Sequence, residues 1–380
     1  MSLRRASAPT RAVWHLKGKH ILLISPESWH GLKMSKHHLA EGLVARGNHV
    51  CFWGTSPAST REVAVTGEGA LRVVNTPHWF RSINHWPKWV NQWYYGRTIA
   101  AIEREAGSPF DIIWCFDTSR MQWFAPGPFF KLLHLVDYNV LHQGHGLMRS
   151  ADIILTTADI INKRVLELAP HAHVFKVGHA LDRRWLADSD GLATARSGAP
   201  RTALYAGQFY NTYIDFEVLV NVAQAHPRIT FTYVGPFDPH YDNPWFQRLR
   251  TLPNVTFTGL KNKDELLPLV RQADILLFCF MTEKRMLERA NPHKVLEYLS
   301  TGNIIVGTWT LEYETHQQLL LMAPGPSDFV SRFQEAVDRF GELNTTEKRT
   351  ERIAFARERT VEHVLDRIAT LVREATKGKA

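Results

Sequence analysis

Short apolar runs alternate with amphipathic stretches along the whole chain, and this alternation limits the fold more than any other feature of the sequence. Buried strands separated by helices are typical of repeated βα units that build a parallel sheet. The runs form two series, which predicts an α/β protein with two Rossmann-like halves. The first series predicts strands at His20–Ser25, His49–Trp53, Asp111–Phe116, Lys131–Val136 and Asp152–Thr156. The second predicts strands at Thr202–Ala206, Ile229–Val234, Asn254–Thr258, Asp274–Phe280 and Asn303–Thr308.

The length of 380 residues suits about two domains. The polar stretch Asp188–Pro200 predicts a linker over 188–200, between an N-terminal domain over 1–187 and a second domain over 201–345. Met34–Arg46 has helical spacing and stops at Gly47. The charged, periodic segment 346–380 predicts one or two helices with an apolar stripe.

The composition bounds the partners and the compartment. A net charge of +8 favours anionic partners without distinguishing nucleic acid, acidic lipid and phosphorylated substrates. Cys51, Cys115 and Cys279 lie in separate apolar runs, which predicts buried thiols rather than disulfides. The basic first residues lack an apolar signal core, and no apolar run reaches the roughly 18 residues of a spanning helix. We therefore expect a cytoplasmic protein, or one that lies on the inner face of a membrane.

A short helix that begins at Asn291 is the first candidate ligand site. Asn291 is a good N-cap, Pro292 suits the first helical position, and Gly302 ends the element. Free N–H groups at a helix start favour a diphosphate, and Lys294 adds a full charge. Glu297 follows on the same face, where its carboxylate could meet sugar hydroxyls. A nucleotide-sugar fits this pattern, and so does an ordinary capped helix with a surface Lys–Glu pair.

Two other ligand motifs are weak or absent. The segment Ser25–Gly31 after the first strand lacks the G-x-G-x-x-G turn, which disfavours a nicotinamide or flavin enzyme. Asp188-Ser189-Asp190 matches a D-x-D metal motif, but it lies in the predicted linker with no strand before it. We expect neither a metal nor a cofactor.

Five segments, in order and spacing, resemble the donor-binding half of GT-B glycosyltransferases, particularly the family 4-like group (group 1). They are Thr202–Gly207, Ile229–Gly235, Pro253–Gly259, Ala273–Leu277 and Pro292–Glu297. The resemblance implies a metal-independent hexosyltransferase. Its two Rossmann-like domains would face each other across a cleft, and a C-terminal helix would cross back to the first domain. The nucleotide-sugar would be a substrate held by Gly207, Gln208, Phe209, Gly235, Arg285, Asn291, His293, Lys294 and Glu297.

The first half is similar, more loosely, to the membrane-associated glucuronosyltransferases of xanthan synthesis. The matching segments are Leu132–Tyr138 and His173–Asp182. The resemblance implies that Asp137 is the catalytic base, which would take a proton from the acceptor hydroxyl. An aspartate that caps the following turn is the structural alternative. The acceptor would bind to Trp29, His30, Gly31 and Lys33, and His179 would line the cleft or serve a structural turn.

Two departures from the family 4 pattern affect the predicted chemistry. The pattern has a second glutamate eight residues before the position of Glu297, where this chain has Arg289, and Glu288 is one residue out of step. The segment Gly207–Thr212 also lacks the usual Arg and Lys. Retention of anomeric configuration is therefore unsupported. Phosphate charge would be met by Lys294, the helix start and cations of the loop Met281–Ala290.

A basic aromatic segment runs from Trp79 to Arg97, within a stretch that has no acid between Glu68 and Glu103. Cations and amphipathic rings suit the headgroup boundary of a membrane, where a lipid-linked acceptor would be found. Single-stranded nucleic acid and a buried aromatic cluster are the alternatives. We favour the membrane and expect no nucleic-acid partner.

These features predict a glycosyltransferase that moves a sugar from a nucleotide-sugar to a saccharide acceptor. The acceptor is expected to be lipid-linked, in surface polysaccharide or glycan synthesis. A nucleotide-sugar epimerase and a non-catalytic nucleotide-sugar binding protein are the alternatives.

Overall fold

A computed structural model describes residues 16–30, 33–77, 83–138, 141, 145–187, 189–210, 212–281 and 291–377. The chain divides into two compact units. Unit 1 combines residues 1–180 with residues 361–380, and unit 2 comprises residues 181–360.

Unit 1 is built around a sheet of eight strands in the order β3-β4-β2-β1-β5-β6-β7-β8. β3 and β4 pair antiparallel, and the other neighbours run parallel. Its elements up to residue 180 are β1 His20–Ile24, α1 Ser35–Ala45, β2 His49–Trp53, β3 Ala64–Thr66, β4 Leu71–Asn75, α2 Lys88–Ala106, β5 Ile112–Phe116, β6 Phe130–Leu135, α3 His145–Ser150, β7 Ile153–Thr156, α4 Asp159–Leu168 and β8 Val174–Lys176.

Unit 2 contains a parallel sheet of six strands in the order β11-β10-β9-β12-β13-β14. Its elements are α5 Ser189–Leu192, β9 Thr202–Ala206, α6 Phe216–Ala225, β10 Thr230–Val234, α7 Pro244–Arg250, β11 Val255–Gly259, α8 Lys263–Gln272, β12 Ile275–Phe278, α9 His293–Leu299, β13 Ile304–Thr308, β14 Leu321–Ala323, α10 Pro326–Asp338, α11 Phe340–Leu343 and α12 Thr346–Arg357.

The last helix, α13 Val361–Lys377, returns to unit 1 as the sequence predicts. Val361, Val364, Leu365 and Ile368 belong to the same buried cluster as the apolar side of α1. The two helices approach so closely at Gly42 that a Cβ there would overlap the side chain of Val361. Burial of this apolar stripe is what attaches the C-terminus to unit 1.

The divisions between the units lie elsewhere than the sequence predicts, at Ala180/Leu181 and at Thr360/Val361. The predicted C-terminal segment 346–380 therefore splits, because α12 belongs to unit 2. Two buried arginines of α12 explain this. Arg349 donates to Leu192 O (2.6 and 2.8 Å), Thr301 O (3.2 Å) and the side-chain oxygens of Asn303 (3.0 Å) and Asn344 (3.1 Å). Arg352 donates to Leu319 O (2.9 Å), Gly302 O (3.1 Å) and Leu343 O (2.9 Å).

These arginines bond to neutral carbonyl and amide oxygens, several of them at the ends of short helices. Such ends leave carbonyl groups unpaired, and a guanidinium satisfies several at once. Burial lowers the pKa of each arginine to about 10, so both stay charged near neutral pH. Because these oxygens need hydrogen-bond donors, the two arginines attach α12 to unit 2.

Every strand predicted from the sequence is present within two residues of its expected bounds, and α1 matches the predicted helix. The short strands β3, β4 and β14 were not predicted, because runs of only three to five residues give little periodic signal. All three cysteines are free and buried, as expected. Within the described ranges, none of the helices is both long and apolar enough to cross a membrane.

Candidate active site

The sheet of unit 2 opens where β9 leaves β12, and α9 fills the gap. The two strands pair only at Ala203 and Leu204. Beyond them, Ala206 N–H donates to the hydroxyl of Tyr298 (2.8 Å), and Ala206 O accepts from Lys294 Nζ (2.8 Å). Strand order reverses between β9 and β12, and such switch points are where α/β sheets bind ligands.

The backbones of the loops that follow β9 and β10 contact each other. Gly207 N–H donates to Val234 O (2.9 Å). A Cβ at Gly235, whose φ is 145°, would overlap Gly207 O. A Cβ at Gly207 would lie 3.1 Å from Lys294 Nζ. Glycine is thus required at 235, and Lys294 is held within reach of both loops.

Lys294 and Glu297 carry opposite charges on α9 but do not form the simple pair that their spacing suggests. Burial lowers the pKa of Lys294 to about 8, and Glu297 offsets part of that effect. Glu297 Oε1 lies 3.4 Å from His293 Nδ1. Burial alone would raise the pKa of Glu297, but the His293 hydrogen bond, together with the charges of His293, Lys263 and Lys294, lowers it overall. Near neutral pH the site therefore holds an ammonium at Ala206 and a carboxylate one turn further along the helix.

Several donor-site predictions are revised by the structure. α9 is a helix of seven residues that begins at His293, with Pro292 rather than Asn291 at the N-cap position and no side-chain cap. Phe209 is fully buried and packs edge-on against Tyr205 (5.3 Å between ring centroids), so its ring supports the loop from within the core. Gln208 is exposed beside it. Arg285 lies outside the described residues.

Unit 1 has its own switch point between β1 and β5, and three charged side chains meet there. Glu27 follows β1, Asp117 follows β5, and Lys36 comes from the first turn of α1. Lys36 Nζ contacts Glu27 Oε2 closely and lies 3.8 Å from Asp117 Oδ2. Among the described residues other than glycine, Asp117 is unique in having a positive φ, 59°. Backbone strain of this kind clusters at functional sites.

Asp117 also supports the predicted catalytic residue. Its Oδ1 accepts from Val136 N–H (3.2 Å), one residue before the exposed Asp137. Burial raises the pKa of Asp117 to about 7, and the negative charges of Asp137 and Glu27 add to this, while Lys36 and the Val136 N–H oppose it. The pKa of Asp117 therefore lies near neutral pH, in a side chain that bonds to the residue before Asp137.

The predicted acceptor residues have mixed surroundings. The Trp29 ring packs against Phe52 (5.0 Å between centroids), and Lys33 Nζ lies 3.1 Å from the Trp29 ring centroid. His30 is exposed, and Gly31 lies outside the described residues. His179, the predicted cleft residue, is buried in unit 1.

A histidine that was not predicted braces this loop. His37 Nδ1 accepts from Met34 N–H (3.1 Å), and its Nε2 lies 3.0 Å from Ser28 O. Burial lowers the pKa of His37, although the Ser28 hydrogen bond opposes that effect, and a neutral ring is what both bonds require. His37 therefore bonds to the backbone on either side of the segment that carries Trp29 and Lys33.

Sequence reasoning missed Asp117, Lys36 and Tyr298. Asp117 had a usable signal, because it follows a predicted strand at the end where ligands bind in parallel sheets. Lys36 and Tyr298 had none. Their roles depend on contacts with residues far away in the chain.

No protein-family model and no curated protein matches the sequence. Solved structures do match. Sucrose-phosphate synthase from Thermosynechococcus elongatus is 14% identical, with a TM-score of 0.68 over 95% of this chain and 100% of that one. The chain has a GT-B fold. HepE from Anabaena, solved with UDP and glucose, is 13% identical with a TM-score of 0.62, over 92% of this chain and 98% of that one. WaaG, a glycosyltransferase involved in lipopolysaccharide biosynthesis, is 13% identical with a TM-score of 0.57, over 92% and 98% respectively.

Replacing Asp117 with asparagine should change how stability depends on pH. The pKa of Asp117 in the folded state is about 7, above the roughly 3.9 of an unfolded aspartate, so the folded state binds more protons between these values. The free energy of unfolding of the parent should therefore fall as pH rises from about 4 to 7, relative to Asp117→Asn. Urea denaturation across this range measures it. Asp242→Asn, which removes an exposed carboxylate of unit 2, is the control, and parallel curves for parent and Asp117→Asn would refute the assignment.

Proposed function

We propose that this protein is a glycosyltransferase of the hexosyltransferase type. It moves a sugar from a nucleotide-sugar to a saccharide acceptor. The observation that carries the proposal is the placement of Lys294 against Ala206 O and the Gly207 loop, at the switch point of unit 2. A half-buried ammonium beside backbone loops suits a diphosphate. The Anabaena protein of the same fold, solved with UDP and glucose, supports a nucleotide donor.

We assign the chemistry to the strand ends of unit 1. Asp137 is exposed after β6 and acts as the base that removes the proton of the acceptor hydroxyl. Asp117 positions it by holding the backbone of Val136. The oxygen of the acceptor then attacks the anomeric carbon, and the nucleoside diphosphate leaves. Trp29, His30 and Lys33 lie on the loop after β1, where they would contact the acceptor.

We further propose that the acceptor is carried on a lipid and that α2 meets the membrane. Trp86, Trp89 and Trp93 are exposed by 49%, 73% and 53%. Trp89 and Trp93 are four residues apart in α2 and therefore lie on one side of the helix, and Trp86 comes just before the helix begins. Three neighbouring exposed indoles are unusual on a protein surface that faces only water. Tyr94 and Tyr95 are buried, so the aromatic segment serves both the core and the surface. Trp79 and Arg81 lie outside the described residues. WaaG, of similar fold, acts in lipopolysaccharide biosynthesis, which supports a surface glycan.

Lys294→Ala and Glu297→Ala should each weaken binding of a nucleoside diphosphate by about 10- to 100-fold, the loss of one charged hydrogen bond. Binding by the parent should also weaken above pH 8, where Lys294 loses its proton. Calorimetry with the tightest-binding of UDP, GDP and ADP measures both effects. Lys261→Ala is the matched control, because Lys261 pairs with Glu265 on the surface. If both α9 variants bind like the parent, the donor site lies elsewhere.

Asp137→Asn should lower sugar transfer by roughly 10²–10⁴ while leaving nucleotide affinity unchanged, because it removes a base and keeps the shape of the turn. Transfer from nucleotide-sugar to membrane extract is the assay, and it also separates a transferase from an epimerase or a binding protein. Asp159→Asn is the control. Asp159 follows the next strand of the sheet and pairs with Lys176 on the surface. Transfer at the parent rate by Asp137→Asn would make Asp137 structural.

The parent should co-sediment with anionic vesicles, and Trp89→Ala/Trp93→Ala should bind much less. Each nearby cation contributes on the order of 1 kcal/mol to binding, and salt screens this part but not the aromatic part. Binding of the parent should thus weaken, without vanishing, as salt rises. Trp245→Ala, which removes an exposed tryptophan of unit 2, controls for the loss of an indole. Absence of binding by the parent at low salt would remove the case for a membrane.

A further inference from the structure

Unit 2 holds a cavity of about 550 Å³ among the first turns of α6, α7 and α10. Its described lining includes none of the residues assigned to the α9 site. A volume of roughly 300–1,000 Å³ is typical of small-molecule sites. The cavity therefore has the size of a ligand site without belonging to the proposed donor site.

The charge of this cavity argues against an anionic ligand. The described lining contains Asp215 and Glu217 but no lysine, arginine or histidine, although the chain as a whole carries a net charge of +8. The three helix starts are also occupied by side chains of their own. Asp215 Oδ1 accepts from Val218 N–H (3.1 Å), Asn243 Oδ1 accepts from Phe246 N–H (2.9 Å), and an aspartate in the first turn of α10 accepts from Gly325 N–H (3.1 Å). A phosphate or nucleotide would meet repulsion and find these donors already used.

The polar groups that remain suit hydroxyl groups. Within the described part of the chain, the side chains of Glu217, Asn221 and Ser327 and the amide nitrogen of Asn243 make no hydrogen bond to protein. Together they offer carboxylate, amide and hydroxyl groups, which can both donate to and accept from a polyol. Trp245 lines the same cavity with its side chain 40% exposed. A flat indole among such groups matches a sugar ring, which has an apolar C–H face and a polar rim.

We propose that this cavity binds an uncharged saccharide, as a glycan-holding site separate from the site at Lys294. The Trp245 ring stacks on one face of the sugar, and Glu217, Asn221, Asn243 and Ser327 bond to its hydroxyls. A metal ion is the poorer occupant, because the described residues contain no cluster of three or more histidine, cysteine, aspartate or glutamate side chains. The site does not depend on transferase activity, so it can be tested apart from the proposed function.

The test is a titration of the full-length protein with maltose, cellobiose and lactose, followed by calorimetry and saturation-transfer NMR. At least one disaccharide should bind. Trp245→Ala should weaken that binding by about tenfold or more, Trp245→Phe should retain most of it, and Glu217→Gln should weaken it severalfold. Trp89→Ala is the control for an exposed tryptophan elsewhere. Affinity for UDP, measured in parallel, should be the same in all four variants.

Four results would overturn the proposal. The first is that none of the three sugars binds, and the second is that sugar binding is unchanged in Trp245→Ala. The third is that sugar competes with UDP and that Lys294→Ala loses sugar binding. The fourth is that Ca²⁺ or inorganic phosphate binds and Glu217→Gln abolishes this binding, while sugars do not bind. If Trp245→Ala unfolds, Trp245→Phe and Glu217→Gln decide instead, and unchanged sugar affinity in Glu217→Gln then counts against the site. Failure to bind UDP with normal sugar binding would leave this site standing and count against the donor site alone.

Discussion

The structure depends on the hydrogen bonding of parallel strands that are buried on both faces of a sheet. A strand that is buried on both faces has no face in water, so most of its side chains are apolar and polar groups collect at its ends. At the starting ends, Asp111 accepts from His20 N–H (2.9 Å) and Asp152 from Lys131 N–H (2.8 Å), which satisfies backbone donors where pairing begins. At the finishing ends the aspartates differ, because Asp117 accepts one backbone N–H, from Val136, and Asp137 is exposed. The strained backbone of Asp117 and the exposure of Asp137 make the finishing ends the candidate place for chemistry.

The sequence was a good guide to the strands because a fully buried strand must be apolar throughout, whatever it packs against. β5 shows this, since every one of its residues is buried. It was a poorer guide to the boundary of unit 2, because α12 is held by arginines that bond to carbonyls. An arginine in a charged helix reads as a surface residue, and only the packed structure reveals that Arg349 is buried.

The residues of the candidate site also differ in how far the sequence could predict them. Lys294 and Gly235 were recognisable because a helix start and a glycine after a strand have local meaning. Tyr298 was not, since its hydroxyl bonds to Ala206 N–H across 92 positions of the chain. Phe209 was misplaced for the opposite reason, because an aromatic residue in a ligand-binding loop can equally well point into the core. Local pattern indicates candidate segments, and packing decides which of their side chains remain exposed.

The contact between Gly207 and Gly235 leaves no room for a graded change. No side chain fits at 235 without displacing the carbonyl of Gly207, so the two loops cannot be spread apart by small steps through substitution there. A gradual change of the loop geometry is thus closed at this position. Gradual change remains open at neighbouring side chains that are exposed, such as Gln208. A backbone frame that resists change beside side chains that tolerate it allows one scaffold to diversify its ligands without losing the place where they bind.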